Sequence, residues 1–369
     1  MNWQIAVLPG DGIGPEVTRE AVKALATVAA CTGRRLDFCE APCGGAAVDV
    51  HGDPLPGHVL ELCQRSHAVL LGAVGGPRWD GLPRENRPEQ ALLQLRKRLG
   101  VYANLRPIRL HPALAGVSPL KSGILSRGVD LVICRELTGG LYYGEPRDRV
   151  AGQDGTITAR DTMVYTSREV ARMARVALEL ASRRRGRLAS VDKANVLECS
   201  RLWREVVQKE AAGFPTVEVS HVYVDDCAAR LVQEPHGFDV ILTENMFGDI
   251  LSDLGAVLAG SMGLLPSASL GATGPGLYEP VHGSAPGIAG RGIANPLGAI
   301  LSAALLLEHS LGLPDEARVV EAAVARALER GYRTAEVAVA GEEAVSTAQM
   351  GDAVAGCIKE IFAEGGGRS

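Results

Sequence analysis

The sequence has few aromatic residues and no strong charge bias. Phe, Trp and Tyr make up 4% of the 369 residues, which argues against an aromatic-rich β-sandwich and suits helices packed closely on a parallel sheet. The 38 basic and 43 acidic residues leave a net charge of −5, so no global attraction to nucleic acid or to an anionic membrane is expected. We therefore predict an α/β protein that binds no nucleic acid and no membrane.

Cysteine pairs and long apolar runs are also missing. The eight cysteines include no CxxC pair and are too sparse for a disulfide-stapled secreted domain. The N-terminus carries no charged leader followed by an apolar run, and the longest apolar stretches, such as Ile300 to Leu307, are too short to span a bilayer. These absences predict reduced, mostly structural thiols and a cytoplasmic protein.

Short apolar segments alternate with helical patterns along the chain. The strand-like segments are 4–8, 68–71, 130–134, 188–191 and 240–243. The helical patterns begin at Pro15 and cover 169–184 and 296–311. This alternation predicts a wound, mainly parallel sheet. The uncharged segment 254–277 is rich in Gly and Pro, which predicts a buried crossing followed by a loop-rich ligand surface.

The first loop, from Gly10 to Pro15, is rich in glycine. A dinucleotide-binding G-x-G-x-x-G motif would need glycine at position 15, where this sequence has proline, so a Rossmann fold is not predicted. The start of the following helix could still hold an anion with its free backbone amides. A structural tight turn and a ligand loop remain equal alternatives.

Arginines form the next candidate site. Arg96, Arg98, Arg106 and Arg109 lie close in sequence, and Arg135 directly follows an apolar strand. A guanidinium at the carboxyl end of a buried strand lies where α/β sheets bind ligands, and it matches a carboxylate with two hydrogen bonds. For Arg96 and Arg98, a solvated helix face is the alternative interpretation.

Asp249 and Asp253 are four residues apart in FGDILSD, so on a helix they project from one face. Neighbouring carboxylates repel each other unless a cation lies between them, and Mg²⁺ prefers oxygen ligands. The apolar flanking residues make this metal site and an ordinary solvated face equal alternatives. Lys193 follows a strand and could act as a base, or be a surface lysine; Tyr142 lies between glycines and could donate a proton, or simply pack.

Eight segments together resemble one family, the metal-dependent β-decarboxylating dehydrogenases that act on isocitrate and isopropylmalate. They are LPGDGIGPEV from Leu8, NLRP from Asn104, RELTGGLYYGEPR from Arg135, SVDKANVLE from Ser190, YVD from Tyr223, FGDILSD from Phe247, GLLPSASLG from Gly263 and EPVHGSAPGIAGRGIANP from Glu279. They span almost the whole chain in order, so a chance match is implausible.

The resemblance implies an open α/β sheet in two domains with the active site in a cleft between them. Residues 1–102 and 261–369 would form the cofactor-side domain, and 103–260 would form the domain for dimerisation, metal and substrate. Members of this family are homodimers. The segments that correspond to Lys193 and Asp225 would complete the active site of the other subunit.

The resemblance also implies a role for each candidate residue. Arg96, Arg106 and Arg135 would bind the malate-type carboxylate, and Asp249 and Asp253 would hold Mg²⁺ or Mn²⁺ with Asp225 of the second subunit. Lys193 of that subunit would assist deprotonation of the C2 hydroxyl as hydride moves to NAD. After loss of CO₂, Tyr142 would protonate C3.

The implied NAD site follows the segment from Glu279 to Asn295. Its candidate residues are Glu89 near nicotinamide, His282 and Asn295 near adenine, and Gly283, Ser284 and Ala285 at the pyrophosphate. NAD-specific members usually carry an acidic residue where this sequence has Gly287. We expect NAD to remain preferred, with weaker discrimination against NADP.

Leu92 and Leu93 suit the isopropyl group of 3-isopropylmalate, whereas isocitrate-using relatives present polar groups there. The implied reaction is therefore the NAD-dependent oxidative decarboxylation of 3-isopropylmalate in leucine biosynthesis. A single apolar pocket discriminates modestly between substrates of similar size. Dehydrogenases of D-malate, tartrate, homoisocitrate or other alkylmalates remain alternatives, as does a non-catalytic regulatory paralogue.

Overall fold

The opening of the chain forms a buried strand, a glycine turn and a helix, as its apolar run and Pro15 predict. In the computed structural model, which describes residues 2–366, the strand is β1 (Asn2–Gly10) and the helix is α1 (Gly14–Thr32). Proline lies in the first turn of α1, where its missing N–H is not needed. Met1 and residues 367–369 of the predicted first domain lie outside the described residues.

The remaining strands are β2 (Arg35–Glu40), β3 (Ala68–Ala73), β4 (Val101–Arg109), β5 (Asp130–Glu136), β6 (Asp148–Ala151), β7 (Ile157–Arg160), β8 (Arg187–Asp192), β9 (Glu218–Tyr223), β10 (Val240–Thr243), β11 (Pro266–Gly271) and β12 (Gly276–Pro280). Each of the five predicted strands is confirmed. The apolar pattern did not reveal the other strands, which are β2, β4, β6, β7, β9, β11 and β12.

The helices after α1 are α2 (Gly45–His51), α3 (Gly57–Arg65), α4 (Glu89–Leu99), α5 (Ser122–Leu125), α6 (Ser167–Ser182), α7 (Glu198–Ala211), α8 (Val224–Gln233), α9 (Asn245–Leu258), α10 (Leu297–His309), α11 (Pro314–Glu329) and α12 (Thr347–Gly366). The predicted helices α6 and α10 are confirmed. No helix among the described residues combines the length and apolar composition needed to cross a membrane.

The first of two units comprises the described residues of Met1–Val101, Leu110–Pro119 and Ala256–Ser369. Its strands follow the order β2-β1-β3-β12-β11. β1 runs parallel to β2 and β3, and β12 runs parallel to β3 but antiparallel to β11. Helices α1, α10, α11 and α12 pack against one another in this unit.

The second unit comprises Tyr102–Arg109 and Leu120–Gly255. Its main strands follow the order β4-β5-β10-β8-β9, with β5, β10, β8 and β9 parallel and β4 antiparallel to β5. Strands β6 and β7 form a separate antiparallel hairpin. The α/β class is confirmed, while the two predicted domains and their boundaries stay a prediction.

The prediction of a loop-rich surface within 254–277 is wrong. Most of its second half lies in β11 and β12, which pair as an antiparallel hairpin with Ala268 opposite Tyr278. Both strands are largely buried. Pro266 is tolerated because it is the first residue of its strand, where a ladder hydrogen bond is not required.

Candidate active site

Arg106 and Arg135 lie on the neighbouring strands β4 and β5 of the second unit. The pairing register places Arg106 opposite Ile133 and Asn104 opposite Arg135, so the two arginines are two residue pairs apart in the ladder. Both side chains are buried, with 2% of Arg135 exposed. Buried guanidinium groups need partners for their N–H groups, and the structure supplies them from β4 and from helix α9.

Arg135 is held mainly by one amide. Its Nε and Nη2 donate to Asn245 Oδ1 at 3.0 and 2.9 Å, and its Nη1 donates to Asp249 Oδ1. A Cβ built on Gly248 would lie 2.6 Å from Arg135 Cγ. Only glycine at position 248 therefore lets the arginine stem lie directly against α9.

Arg106 faces the carboxylates of α9. Its Nε donates to Asn104 Oδ1 at 2.8 Å, and its Nη1 donates to Ser252 Oγ at 2.5 Å. The same Nη1 lies 3.6 Å from Asp249 Oδ1 and 3.8 Å from Asp253 Oδ1. The predicted helix across the two aspartates is confirmed, and a single guanidinium nitrogen reaches both of their carboxylates.

The two carboxylates form a partly open anionic pair, with 35% of Asp249 and 54% of Asp253 exposed. Partial burial raises the pKa of Asp253, which Arg106 opposes and the charge of Asp249 reinforces. A cation bound between them would relieve both the burial cost and the repulsion.

Tyr142 joins this cluster from the turn after β5. Its hydroxyl donates to Asp249 Oδ2 at 2.8 Å, and the Arg135 guanidinium lies 5.6 Å from the centre of its ring. Burial and the adjacent Asp249 carboxylate raise the pKa of Tyr142 above its ordinary value. The phenol is therefore protonated at neutral pH and can donate a proton.

Lys193 and Asp225 form a pair of their own. Lys193 follows β8, Asp225 lies in the first turn of α8, and Lys193 Nζ is 2.5 Å from Asp225 Oδ1. The hydrogen bond from Lys193 lowers the pKa of Asp225. Across residues 2–366, no three His, Cys, Asp or Glu side chains converge in a way that could hold a metal ion. Of the three predicted metal ligands, Asp249 and Asp253 therefore lie together within one chain, whereas Asp225 does not join them.

Arg96 lies in the first unit, and part of its guanidinium is already hydrogen-bonded within the protein. It projects from α4, and its Nη2 donates to Glu279 Oε1 at 3.0 Å, with 9% of each side chain exposed. Its buried Nε has no hydrogen-bond partner among the described residues. A buried unpaired N–H is unfavourable, and a hydrogen bond to an anionic ligand would remove that cost.

Glu89 and Leu92 lie on the same helix as Arg96. Glu89 is the first residue of α4 and is exposed. Leu92 is half-buried and packs against the hydrophobic core of the first unit, a cluster that includes Leu55, Leu62 and Leu71. Leu92 therefore contributes to the core of the first unit, and its role at a ligand surface stays a prediction.

The predicted cofactor loop has two buried nitrogen atoms without partners. His282 Nδ1 lies 2.9 Å from Gly283 O, and Asn295 Oδ1 accepts a hydrogen bond from Leu297 N at 3.1 Å. The second ring nitrogen of His282, Nε2, and the amide nitrogen of Asn295, Nδ2, have no partner among the described residues. Burial lowers the pKa of His282, which favours the neutral ring.

Residues from the start of α1 hold this loop. Ile13 N donates to Ser284 O at 2.8 Å, and the Glu16 carboxylate accepts hydrogen bonds from Gly290 N and Gly292 N. Gly12 has φ +60°, and a Cβ there would lie 2.0 Å from Ser284 O. The glycine-rich first loop therefore supports the predicted cofactor loop structurally.

Asp11 supports the same region. Its buried carboxylate accepts hydrogen bonds from Gly45 N, Ala46 N and Gly75 N, each at 2.8 Å. These contacts join the first loop to the start of helix α2 and to the loop that follows β3. They favour the interpretation of the first loop as a structural turn over its interpretation as a ligand loop.

A family model described as isocitrate/isopropylmalate dehydrogenase matches residues 4–354. The chain belongs to the isocitrate/isopropylmalate dehydrogenase family. The predicted resemblance is thereby confirmed.

Relatives and solved structures agree with this family. The 3-isopropylmalate dehydrogenase of Gloeobacter violaceus is 55% identical over 95% of this chain and 97% of its own, and that of Anaeromyxobacter dehalogenans is 57% identical over 91% and 95%. The crystal structure of isocitrate dehydrogenase from Methylococcus capsulatus has a TM-score of 0.86 at 36% identity and covers 97% of this chain and 100% of that one. A β-decarboxylating dehydrogenase from Thermococcus kodakarensis has a TM-score of 0.78 at 38% identity, with 98% and 97% covered.

Isopropylmalate dehydrogenases of this family generally use NAD and a divalent metal, and the residues present fit both groups. The metal fits because Asp249 and Asp253 offer hard oxygen ligands on one helix face. The dinucleotide fits because the buried nitrogens of His282 and Asn295 lack partners. Ala285 has φ +40°, and such strain in a non-glycine residue is concentrated at ligand sites.

Sequence reasoning missed several residues of this family site. Asn245 and Ser252 bind the two arginines, Gly248 makes room for one of them, and Glu279 pairs with Arg96. One signal was present for Asn245: it lies two residues beyond the end of strand β10, as Arg135 lies at the end of β5. The other contacts depend on residues distant in sequence.

Proposed function

We propose that this chain catalyses the NAD-dependent oxidative decarboxylation of (2R,3S)-3-isopropylmalate to 4-methyl-2-oxopentanoate and CO₂ in leucine biosynthesis. The observation that carries the proposal is the cluster of Arg106, Arg135, Tyr142, Asp249 and Asp253 in the second unit. It offers cations for a carboxylate, oxygen ligands for a metal and a proton donor. The 3-isopropylmalate dehydrogenases at 55–57% identity support the same substrate.

Substrate binding would rest on the three arginines. Arg106 and Arg135 are buried and directionally fixed by Asn104 and Asn245, so little ordering entropy is lost when they bind a carboxylate. Arg96 would contribute its unpaired Nε. Leu92 would contact the isopropyl group, and its packing against the core limits how far it can move.

The metal would be held by Asp249 and Asp253 with Asp225 of the second subunit. When bound, Mg²⁺ or Mn²⁺ supplies Lewis-acid stabilisation of negative charge that develops on substrate oxygens. Arg106 and Arg135 balance the aspartate charges around that position. Lys193 of the second subunit would accept the C2 hydroxyl proton, and Tyr142 would deliver a proton to C3 after CO₂ leaves.

The NAD site would use Glu89 near nicotinamide, the backbone of Gly283, Ser284 and Ala285 at the pyrophosphate, and His282 and Asn295 at adenine. This loop is hydrogen-bonded to Ile13 and Glu16. Gly287, beside these residues, has no side chain to bind the adenosine ribose. We infer that the enzyme prefers NAD but discriminates weakly against NADP.

The variant Gly287→Asp tests this inference. A Cβ at Gly287 meets no atom within 4 Å, so the side chain can be added without a clash. An added carboxylate accepts hydrogen bonds from ribose hydroxyls and repels a 2′-phosphate, so we expect the ratio of kcat/KM for NAD over NADP to rise about 10- to 100-fold. Steady-state kinetics with both cofactors measures the ratio.

Gly287→Asn is the matched control, because it has the same shape without the charge. We expect it to change the ratio less than the aspartate does. An unchanged ratio in Gly287→Asp, or an NADP penalty in the unmodified enzyme as large as in a carboxylate-bearing relative, would contradict the inference.

A homodimer with shared active sites is part of the proposal. Lys193 and Asp225 pair with each other in one chain, while Asp249 and Asp253 form their own cluster. Exposed apolar side chains lie on α9, α8 and the β6–β7 hairpin, as expected of a surface for a second copy. These residues are Ile250, Val232, Val150 and Ile157.

Subunit mixing tests the shared site. Lys193→Met and Tyr142→Phe should each give nearly inactive homodimers, whereas equal co-expression should restore about a quarter of the unmodified activity, because half of the dimers are hybrids with one intact site. Mixing Lys193→Met with Asp225→Asn is the control and should restore nothing. Absence of recovery in the first mixture would place both catalytic groups in one chain.

Initial-rate assays of reduced nicotinamide formation test the function itself. Isopropylmalate, D-malate and isocitrate are each paired with NAD and with NADP in the presence of Mg²⁺. We expect the highest kcat/KM with isopropylmalate and NAD, complete loss with EDTA, and recovery with excess Mg²⁺ or Mn²⁺. Faster turnover of D-malate would contradict the proposed substrate, and inactivity throughout would indicate a non-catalytic paralogue.

Location in the cytoplasm stays a prediction.

A further inference from the structure

Asn245 is buried, with 1% of its surface exposed, and both ends of its side chain are hydrogen-bonded. Its single amide oxygen accepts from Nε and Nη2 of Arg135 at 3.0 and 2.9 Å. Two N–H groups that share one acceptor fix the plane of the guanidinium. The remaining Nη1 edge is thereby directed toward Asp249.

The other end of the same amide holds the turn that carries Tyr142. Asn245 Nδ2 donates to Gly139 O at 3.2 Å, three residues before Tyr142. Gly140 N in turn donates to Val164 O at 3.0 Å, which fixes the next peptide of that turn. A shift of the amide would therefore displace the guanidinium and the phenol together.

Asn245 is itself held by the protein. Its backbone N donates to the Tyr165 hydroxyl at 3.0 Å, and that hydroxyl lies 3.4 Å from Glu244 Oε2. The Glu244 carboxylate also accepts hydrogen bonds from Met246 N and Phe247 N, the first free amides of α9. The position of Asn245 is thus determined at its backbone as well as its side chain.

We propose that Asn245 is a positioning residue that couples the orientation of Arg135 to that of Tyr142. It keeps the arginine that binds the substrate carboxylate and the phenol that protonates the product in a fixed mutual geometry. This inference rests on the proposed function. It predicts that one substitution impairs both substrate binding and the later proton transfer.

Asn245→Ala removes both hydrogen-bonding ends. We expect kcat/KM for isopropylmalate to fall roughly 10²-fold, the size expected when reacting groups are misplaced by about 1 Å. Both a higher KM for isopropylmalate and a lower kcat should contribute, while KM for NAD stays unchanged. Thr243→Val is the matched control, because Thr243 is buried two residues away and its hydroxyl donates to Val191 O, at 3.1 Å, and not to the Arg135 side chain.

A double variant separates positioning from general damage. Arg135→Lys keeps the charge but replaces the planar guanidinium, whose Nε and Nη2 both donate to Asn245 Oδ1, by a single freely rotating nitrogen. Asn245→Ala should therefore raise KM much less in an Arg135→Lys background than in the unmodified enzyme. Full additivity of the two effects on KM would overturn the proposal, as would unmodified kinetics in Asn245→Ala.

Gly248→Ala provides a second variant if Asn245→Ala does not fold. The added methyl group displaces the buried stem of Arg135, so we expect the same rise in KM. The melting temperature should fall, because the displaced stem loses its packing, and the helix preference of alanine should offset part of that fall. Calorimetric binding of isopropylmalate with Mg²⁺ gives a readout without turnover. If the unmodified enzyme binds but does not turn over isopropylmalate, the proposed function fails; if Gly248→Ala and Asn245→Ala both bind it normally, the positioning role fails.

Discussion

Tyr142→Phe is expected to lower kcat for isopropylmalate about 10³-fold, within the range for loss of a general acid, and to change KM only slightly. The Tyr142 hydroxyl is 2.8 Å from Asp249 Oδ2, and burial together with that carboxylate raises the pKa of Tyr142. The phenol is therefore the protonated donor across the neutral range. Phenylalanine keeps the ring beside Arg135 and removes only the hydroxyl group, and with it the proton and the hydrogen bond to Asp249.

Product analysis sharpens this test. Because the proton is needed after hydride transfer, reduced nicotinamide should form faster in a single turnover than 4-methyl-2-oxopentanoate appears. Tyr143→Phe, the next residue in the same turn, is the matched control and should retain normal turnover. Normal kcat in Tyr142→Phe would assign the proton transfer to another group.

Asp249→Asn is expected to lower kcat/KM about 10³-fold, the upper range for loss of one group that stabilises developing charge. Its carboxylate contacts Arg135 and Tyr142 and lies 3.6 Å from Arg106 Nη1. The substitution removes a proposed metal ligand and unbalances two buried cations. We also expect Mn²⁺ binding, measured by calorimetry, to weaken by more than about 10-fold.

Asp249→Asn is also expected to change the pKa of Tyr142. The charge of Asp249 raises the pKa of this phenol, so its neutralisation should bring that pKa down toward the ordinary value, as followed by ultraviolet difference titration against Tyr142→Phe. Asp226→Asn is the control, because Asp226 lies in the first turn of α8 with 58% of its side chain exposed. Unchanged Mn²⁺ affinity in Asp249→Asn would contradict the assigned metal site.

Local patterns in the sequence determined a large part of this protein. The strand that carries Arg135 contains the apolar run LVIC, and the strand that precedes Lys193 contains the mainly apolar run LASV. Such runs in buried parallel strands can be recognised without long-range information. The four-residue spacing of Asp249 and Asp253 predicts one helix face, and α9 has it. The long segments that resemble the family were sufficient to predict it, and the family model confirms that prediction over residues 4–354.

The tertiary structure decided which side chains meet. Asn245 binds Arg135 from 110 positions away, Ser252 binds Arg106 across 146, and Glu279 binds Arg96 across 183. The β11–β12 hairpin was missed because its strands, PSASLG and GLYEP, contain no continuous apolar run, and their Gly and Pro residues favour turns. Local preference acts over a few residues, whereas the partners of a buried charge are set by sheet register and helix packing, which only the folded chain brings together.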